Sequence, residues 1–196
     1  MKGLIRTVVA LLLGVGGGGG AAVLATAMGA QAAARTVGGW QINLKAGSAA
    51  ADPYTRAVIA RVGLLALNQS EAVYFFRDRD DTGTPLRESC SYRLSGEDLP
   101  ARWWSVTLYD SEGFLARNAQ DAHSIDATSV VRSVDGAYEA LLATGRGQEQ
   151  NFLATEGAGR FSLTLRLYNP EPVVTSTPEA LVLPRISLIS CQEGTP

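Results

Sequence analysis

The chemistry open to this chain is bounded by how few reactive side chains it carries. Its 196 residues include one histidine, His123, and two cysteines, Cys90 and Cys191. A structural zinc site takes four Cys or His ligands, and a His-rich catalytic site takes two or three. Neither can be assembled here, so the sequence implies no metal and no other cofactor. His123 is the one imidazole able to act as a general base. With Ser105 or Ser124 and Asp121 or Asp126 it offers the parts of a Ser-His-Asp arrangement. No Gly-x-Ser-x-Gly elbow accompanies them. Asp81-Thr82-Gly83 matches the aspartic-protease triplet, but that site needs two such loops whose aspartates share a proton. The chain has one, approached through the charged run Arg77-Asp78-Arg79-Asp80, and it reads as a hairpin turn. Asp78, Asp80 and Asp81 offer oxygens for calcium. The twelfth position counted from Asp78 is Ser89 rather than the EF-hand glutamate, and Arg77 and Arg79 neutralise the cluster. A glycosidase needs two carboxylates, and the 19 acidic residues single out no pair.

Binding chemistry is better provided for. Trp103 and Tyr109 fall on one face of an alternating segment, opposite Trp104, and such an aromatic face can stack on a sugar or another flat ligand. The core of a β-sandwich uses the same residue types. Arg166 and Tyr168 lie opposite a leucine stripe, where an arginine can clamp a carboxylate or phosphate or pair with an acid across the sheet.

These residues must be positioned mainly by strands. Asp52-Pro53 has the form of a helix start, and Tyr54, Val58, Ile59, Val62 and Leu65 recur at helical spacing. One packing helix is predicted from Pro53 to Leu67. The period then changes to two. Strands are predicted at Ala72–Arg77, Ser89–Leu94, Trp103–Tyr109, Phe114–Ala116, Thr128–Arg132, Tyr138–Ala143, Phe161–Tyr168 and Arg185–Ser190. Phe161, Leu163, Leu165 and Leu167 are placed inward. Strands in this number, with turn signals between them and no βαβ rhythm, predict a mainly β, antiparallel jelly-roll-like sandwich.

The first 34 residues differ in kind. Lys2 and Arg6 precede an uncharged run from Thr7 to Ala34. Val8 to Ala30 is long enough for a membrane span, while Val8 to Val15 followed by Ala30-Gln31-Ala32 fits a cleaved secretory signal. Either places the rest outside the cytoplasm. Residues 1–34 are thus an anchor or signal and 35–51 a Gly/Ala/Ser-rich linker, in which Trp40, Ile42 and Leu44 alternate as an edge strand would. Residues 52–196 form the β domain. That domain carries 13 arginines, no lysine and all 19 acids, a net charge of −6. Nucleic acid and anionic lipid are poor partners for it, and Schiff-base chemistry is excluded. Two cysteines in an exported chain predict a Cys90–Cys191 disulfide.

Several motifs form a recognisable set: Asp52-Pro53-Tyr54-Thr55-Arg56-Ala57, Glu71-Ala72-Val73-Tyr74-Phe75, Leu99-Pro100, Trp103-Trp104-Ser105-Val106-Thr107-Leu108-Tyr109-Asp110, and Leu165-Arg166-Leu167-Tyr168 with Pro170. Over roughly residues 52–190 the chain resembles the bacterial family known as domain of unknown function 1214. The resemblance implies a jelly-roll-like β domain and brings no established activity. Where the family often has Asn-Trp-Leu-Pro, this chain has Asn151-Phe152-Leu153-Ala154. The functional expectation is an envelope protein, anchored in the inner membrane with its domain in the periplasm, or periplasmic after signal cleavage. It binds a small-molecule or sugar ligand, or a partner, through Trp103, Tyr109, Arg166, Tyr168 and His123. An exported hydrolase acting through carboxylates or His123, and a structural or assembly role, are the alternatives.

Overall fold

The computed structural model describes residues 2–32, 35–48, 51–62 and 67–192. Two compact units result: Met1–Ala34 with Lys45–Ala66, and Arg35–Leu44 with Leu67–Pro196.

In the first unit, helix α1 spans Lys2–Ala32. Its stretch Lys2–Leu24 is long and apolar enough to cross a membrane and has no buried face, properties shared by anchors and signal sequences. Helix α2 spans Pro53–Val62 and contacts α1. Asp52 caps it: Oδ1 accepts the Tyr54 and Thr55 amides at 3.0 and 2.9 Å, and Oδ2 accepts the Thr55 hydroxyl at 2.8 Å. Those bonds satisfy donors that the first turn leaves open. The predicted continuation to Leu67 runs through 63–66, outside the described residues.

Among the described residues the second unit has ten strands: β1 Arg35–Val37, β2 Trp40–Ile42, β3 Ala72–Arg77, β4 Cys90–Gly96, β5 Ala101–Asp110, β6 Ser124–Asp126, β7 Tyr138–Ala143, β8 Phe152–Ala154, β9 Phe161–Pro170 and β10 Arg185–Cys191. A short helix α3, Pro172–Ser176, follows β9. The strands make a six-stranded sheet ordered β1-β2-β3-β9-β5-β6 and a four-stranded sheet ordered β10-β4-β7-β8. All pairings are antiparallel except β7 with β8. One hydrophobic core draws on both sheets. Trp104 of β5 stacks on Tyr138 of β7 at 5.0 Å, and Phe161 of β9 meets Tyr92 of β4 edge-on at 5.9 Å. Phe161, Leu163, Leu165 and Leu167 all lie in that core, as the alternation predicts. Residues 35–44, read as linker or edge strand, enter the sheet, and Trp40 and Ile42 are fully buried.

Two predicted strands are turns instead. At Phe114–Ala116 the Asp110 carboxylate takes the amides of Glu112 and Phe114, and near Thr128–Arg132 the Asp126 carboxylate takes those of Thr128 and Ser129. An acid that binds nearby amides offers the backbone an alternative to a ladder. The strand at this point is β6, just before Asp126 ends it.

Arg77 on β3 is buried and ties several segments together. Its guanidinium donates to the carbonyls of Arg79 (2.7 Å) and Gly38 (3.1 Å) and to Asp81 Oδ1 (2.6 Å), and it lies 6.0 Å from the Trp40 ring centre. Gly39, at φ +83°, passes so close that a Cβ would sit 2.9 Å from the guanidinium carbon. Asp81 in turn accepts from the Ile186 amide and the Arg185 side chain of β10. The pair therefore links the β1–β2 hairpin, β3 and the second sheet. The Cys90–Cys191 disulfide is present. Its cysteines stand opposite each other on β4 and β10. A loop of 101 residues closed in this way is worth about 4–5 kcal/mol in the chain-entropy account.

Burial pushes the Asp81 carboxyl up, and the bonds from Arg77, Ile186 and Arg185 outweigh it, holding it below the usual carboxylate range. A carboxylate whose folded pKa is depressed contributes stability that is full above its unfolded pKa, near 4, and is lost as pH falls through the folded value. Asp81→Asn leaves Arg77 buried without its carboxylate. It should cost about 3 kcal/mol at pH 7 and flatten the loss of stability below about pH 4. Urea denaturation at pH 7, 5 and 3 checks this; a variant with the parent midpoint at pH 7 contradicts it.

Candidate functional site

Because side chains alternate along a strand, the leucine and valine stripes that fill the core leave a second set of residues on the outer face of the six-stranded sheet. Pairing of β5 with β9 lays these out in rows. Trp103 stands opposite Tyr168, Ser105 opposite Arg166, Thr107 opposite Thr164, and Tyr109 opposite Ser162. On the other side of β9, β3 places Tyr74 beside Arg166 and Phe76 beside Thr164. β6 sets Asp126 beside Ser105. Four of the five predicted binding residues, Trp103, Tyr109, Arg166 and Tyr168, thus share one surface.

They form two pairs. The Trp103 ring lies 5.3 Å from that of Tyr168 at a tilt of 52°, and its indole N–H donates to the Thr128 hydroxyl at 3.0 Å. Arg166 reaches along the strands to the other pair. It donates to Thr107 Oγ1 at 3.1 Å and to Tyr109 Oη at 2.7 Å, and its guanidinium carbon lies 5.4 Å from the Tyr109 ring centre. The cross-sheet acid considered for Arg166 is not its partner. Among the described residues no carboxylate lies within ion-pairing distance of it. The acid in the same row, Asp126, lies two strands away beyond Ser105 and is committed to the turn that follows β6, where it accepts from Ser129 Oγ and two amides. Burial pushes Asp126 up, but those hydrogen bonds prevail and keep it below the usual range, so it stays ionised.

A guanidinium carries five N–H donors, and neutral oxygens take two of these. Arg166 is half-buried, where a charge is worth more than in water. Tyr74, beside Arg166, is pushed above the ordinary tyrosine range, chiefly by burial, and keeps its proton at neutral pH. The arrangement can therefore hold an anion by charge-assisted hydrogen bonds at one end and a flat apolar surface at the other. Thr107 and Tyr74 were not singled out from sequence. Thr107 carries a legible signal, since it shares the alternation phase of Trp103 and Tyr109; the placement of Tyr74 depends on the β3–β9 register.

His123 is not part of this surface. Its Nδ1 lies 3.1 Å from the Asn118 amide nitrogen and its Nε2 3.7 Å from the exposed Asp121 carboxylate. The serine partners considered for it do not join it: Ser124 is set against Thr107 and Ser105 against Asp126 in the ladder. Asp81-Thr82-Gly83 is a turn in which Asp80 Oδ1 accepts the Thr82 and Thr84 amides and the Thr82 hydroxyl. No group of three His, Cys, Asp or Glu able to hold a metal occurs among the described residues. An open hollow of about 700 Å³ near β7 includes Asp135, Glu139 and Glu149. Asp135 is occupied by Ser133 and Glu139 faces Arg93 at 3.4 Å.

A family model described as Protein of unknown function (DUF1214) matches residues 71–172, which is 102 of the 196 residues. No curated protein matches the chain. Among solved structures, the VPA0106 protein from Vibrio parahaemolyticus is 24% identical, with a TM-score of 0.60 over 72% of this chain and 36% of that one. An uncharacterised protein from Burkholderia cenocepacia is 16% identical, with a TM-score of 0.46 over 60% of this chain and 29% of that one. The chain thus spans about a third of the length of these proteins, and the likeness to the Vibrio protein is one of fold.

The outer face predicts a difference among the three tryptophans. Trp40 and Trp104 are fully buried, whereas Trp103 is half-exposed on the outer face. Iodide should quench Trp103 alone, so Trp103→Phe should remove most of the quenchable emission. Quenching of equal extent in parent and variant contradicts the placement.

Proposed function

The chain belongs to the DUF1214 family, and on that footing we propose that it is an exported envelope protein whose jelly-roll-like β domain binds a ligand on the outer face of its six-stranded sheet. The observation that carries this reading is Arg166: a half-buried cation held by Thr107 and Tyr109, with no carboxylate among the described residues within ion-pairing distance. A purely structural arginine at such a depth is ordinarily paired with an acid. Ligands are also commonly recognised by a few polar groups set among aromatic rings, and Trp103 and Tyr168 supply those rings.

Export is supported by α1, long and apolar enough to span a membrane, and by the disulfide, which persists in oxidising compartments. Lys2 and Arg6 before the apolar run favour a cytoplasmic N-terminus. We place α1 in the inner membrane as an anchor and the β domain in the periplasm.

The full chain, purified in detergent micelles, should bind at least one class of compound on an array of neutral and acidic oligosaccharides, organic acids and phosphate esters. The double variant Trp103→Ala, Arg166→Gln should lose that binding at least tenfold while unfolding as the parent does. Binding that survives the double variant, or no binding to any compound, contradicts the reading.

A further inference from the structure

We propose a second site, distinct from the Arg166 surface: Arg87 and Arg160 together hold a phosphoryl dianion, either inorganic phosphate or the phosphate group of a monoester. The two residues face each other in an isolated antiparallel bridge, between the segment leading into β4 and the segment leading into β9. The bonds that flank them run from the Phe161 amide to the Leu86 carbonyl (3.4 Å) and from the Glu88 amide to the Gly159 carbonyl (2.7 Å). Arg87 and Arg160 exchange none with each other. That makes them a narrow pair, with Cα atoms about 4.5 Å apart and side chains closer than in a hydrogen-bonded pair. Their neighbours Leu86 and Phe161 are buried in the core, so alternation turns both arginines outward, and both are exposed.

Like charges directly opposite each other repel. Among the described residues neither guanidinium has a hydrogen-bond or ion-pair partner to relieve this. The acids nearest in sequence are engaged elsewhere. Glu88 accepts the amides of Gly157 and Gly159, one on each oxygen, at 2.8 Å, and Glu156 Oε2 accepts the Ala119 amide at 3.4 Å. The backbone also holds the pair in place. The Arg87 amide donates to Tyr92 Oη at 3.0 Å and its carbonyl accepts the Cys90 amide at 3.1 Å, while Glu88 ties down the glycines that precede Arg160. Folding thus sets two cations side by side, and little backbone ordering remains to oppose an anion that binds them.

The charge and donor count select the ligand. One guanidinium fork matches one carboxylate. Two forks match an anion with three or more terminal oxygens and close to two charges, as a phosphate monoester has near neutral pH. A long polyanion is repelled by the domain's net charge of −6. Arg160 also lines an open hollow of about 320 Å³, together with Arg79, Ser111 and Ser162, which leaves room for the organic part of an ester. Asp78 and Asp110 line it too. Asp78 lies 3.9 Å from Arg79, and Asp110 Oδ1 takes the Glu112 and Phe114 amides.

The test uses the full chain in micelles at low salt, with inorganic phosphate, glycerol phosphate and acetate as probes at equal ionic strength. Calorimetry and the shift of the urea midpoint report binding. The parent should bind at least one of the two phosphates about tenfold more tightly than acetate. Arg87→Gln and Arg160→Gln should each weaken that binding about tenfold, the effect of losing a charge-assisted hydrogen bond. Tighter binding of glycerol phosphate than of inorganic phosphate identifies an ester as the ligand; equal or weaker binding identifies the free ion. Circular dichroism confirms that the variants fold. Without ligand, Arg87→Gln should unfold at a urea midpoint no lower than the parent's, because it removes the repulsion. A lower midpoint makes the pair structural and overturns the proposal. So does acetate binding as tightly as the phosphates, phosphate affinity unchanged in both variants, or no phosphate binding by the parent. Phosphate binding lost in Arg166→Gln but kept in Arg87→Gln and Arg160→Gln belongs to the outer face, and overturns this second site while the reading of that face stands.

Discussion

The register in which β5 pairs with β9 is the constraint on which both halves of the structure depend. Nine facing pairs, from Ala101↔Pro170 to Asp110↔Phe161, fix it. The side-chain period of a strand is two, so a slip of one residue would exchange the two faces. A slip of β5 would carry Trp104, Val106 and Leu108 out of the core while their present partners Leu167, Leu165 and Leu163 stayed in it. The same slip would separate Arg166 from Thr107 and Tyr109. The energy that specifies the surface is thus the hydrophobic energy of the opposite face, at about 25 cal/mol per Å² of apolar area removed from water. The outer residues need not stabilise the sheet themselves, which leaves them free to be polar and aromatic.

A second layer of constraint fastens the sheets to each other. Arg77 collects the β1–β2 turn and the Asp78–Asp81 loop around a buried guanidinium. Asp81 passes the connection on to Arg185 and Ile186 of β10. At the other end of β10 the disulfide joins Cys191 to Cys90 on β4. Edge strand β10, exposed along most of its length, is thereby tied down at both ends.

Legibility in the sequence followed the range of the interaction. Strands β4, β5 and β9 could be read because alternation is local, β3 because its residues are aromatic and β-prone, and Asp52-Pro53 because an N-cap lies within three residues of what it caps. The segments at 114–116 and 128–132 were misread because Phe114, Leu115, Val130 and Val131 supply strand-like side chains while Asp110 and Asp126 take the amides a ladder would need. β8 carries only three residues and pairs in parallel, which leaves no alternation to detect. The residues of the outer face were visible one strand at a time, as Trp103 with Tyr109 and as Arg166 with Tyr168. That these form the cross-strand pairs Trp103–Tyr168 and Arg166–Tyr109 depends on two strands some sixty residues apart in the chain, as the spacing of Arg166 and Thr107 indicates. The acid expected opposite Arg166 was a statistical expectation about arginines, and the hydroxyls of Thr107 and Tyr109 stand in its place.

The central claim is that Arg166 is kept for recognition rather than for holding the sheet together. A half-buried cation without a countercharge costs desolvation that neutral acceptors repay only in part, so an apolar residue of similar length should be tolerated or favoured in the empty protein. Urea unfolding of Arg166→Met against the parent, at neutral pH and without added ligand, tests this most directly. The account predicts an unfolding free energy equal to the parent's or higher by about 1 kcal/mol. A loss of about 2 kcal/mol or more, the size expected when a structural charge-assisted hydrogen-bond node is removed, would contradict it.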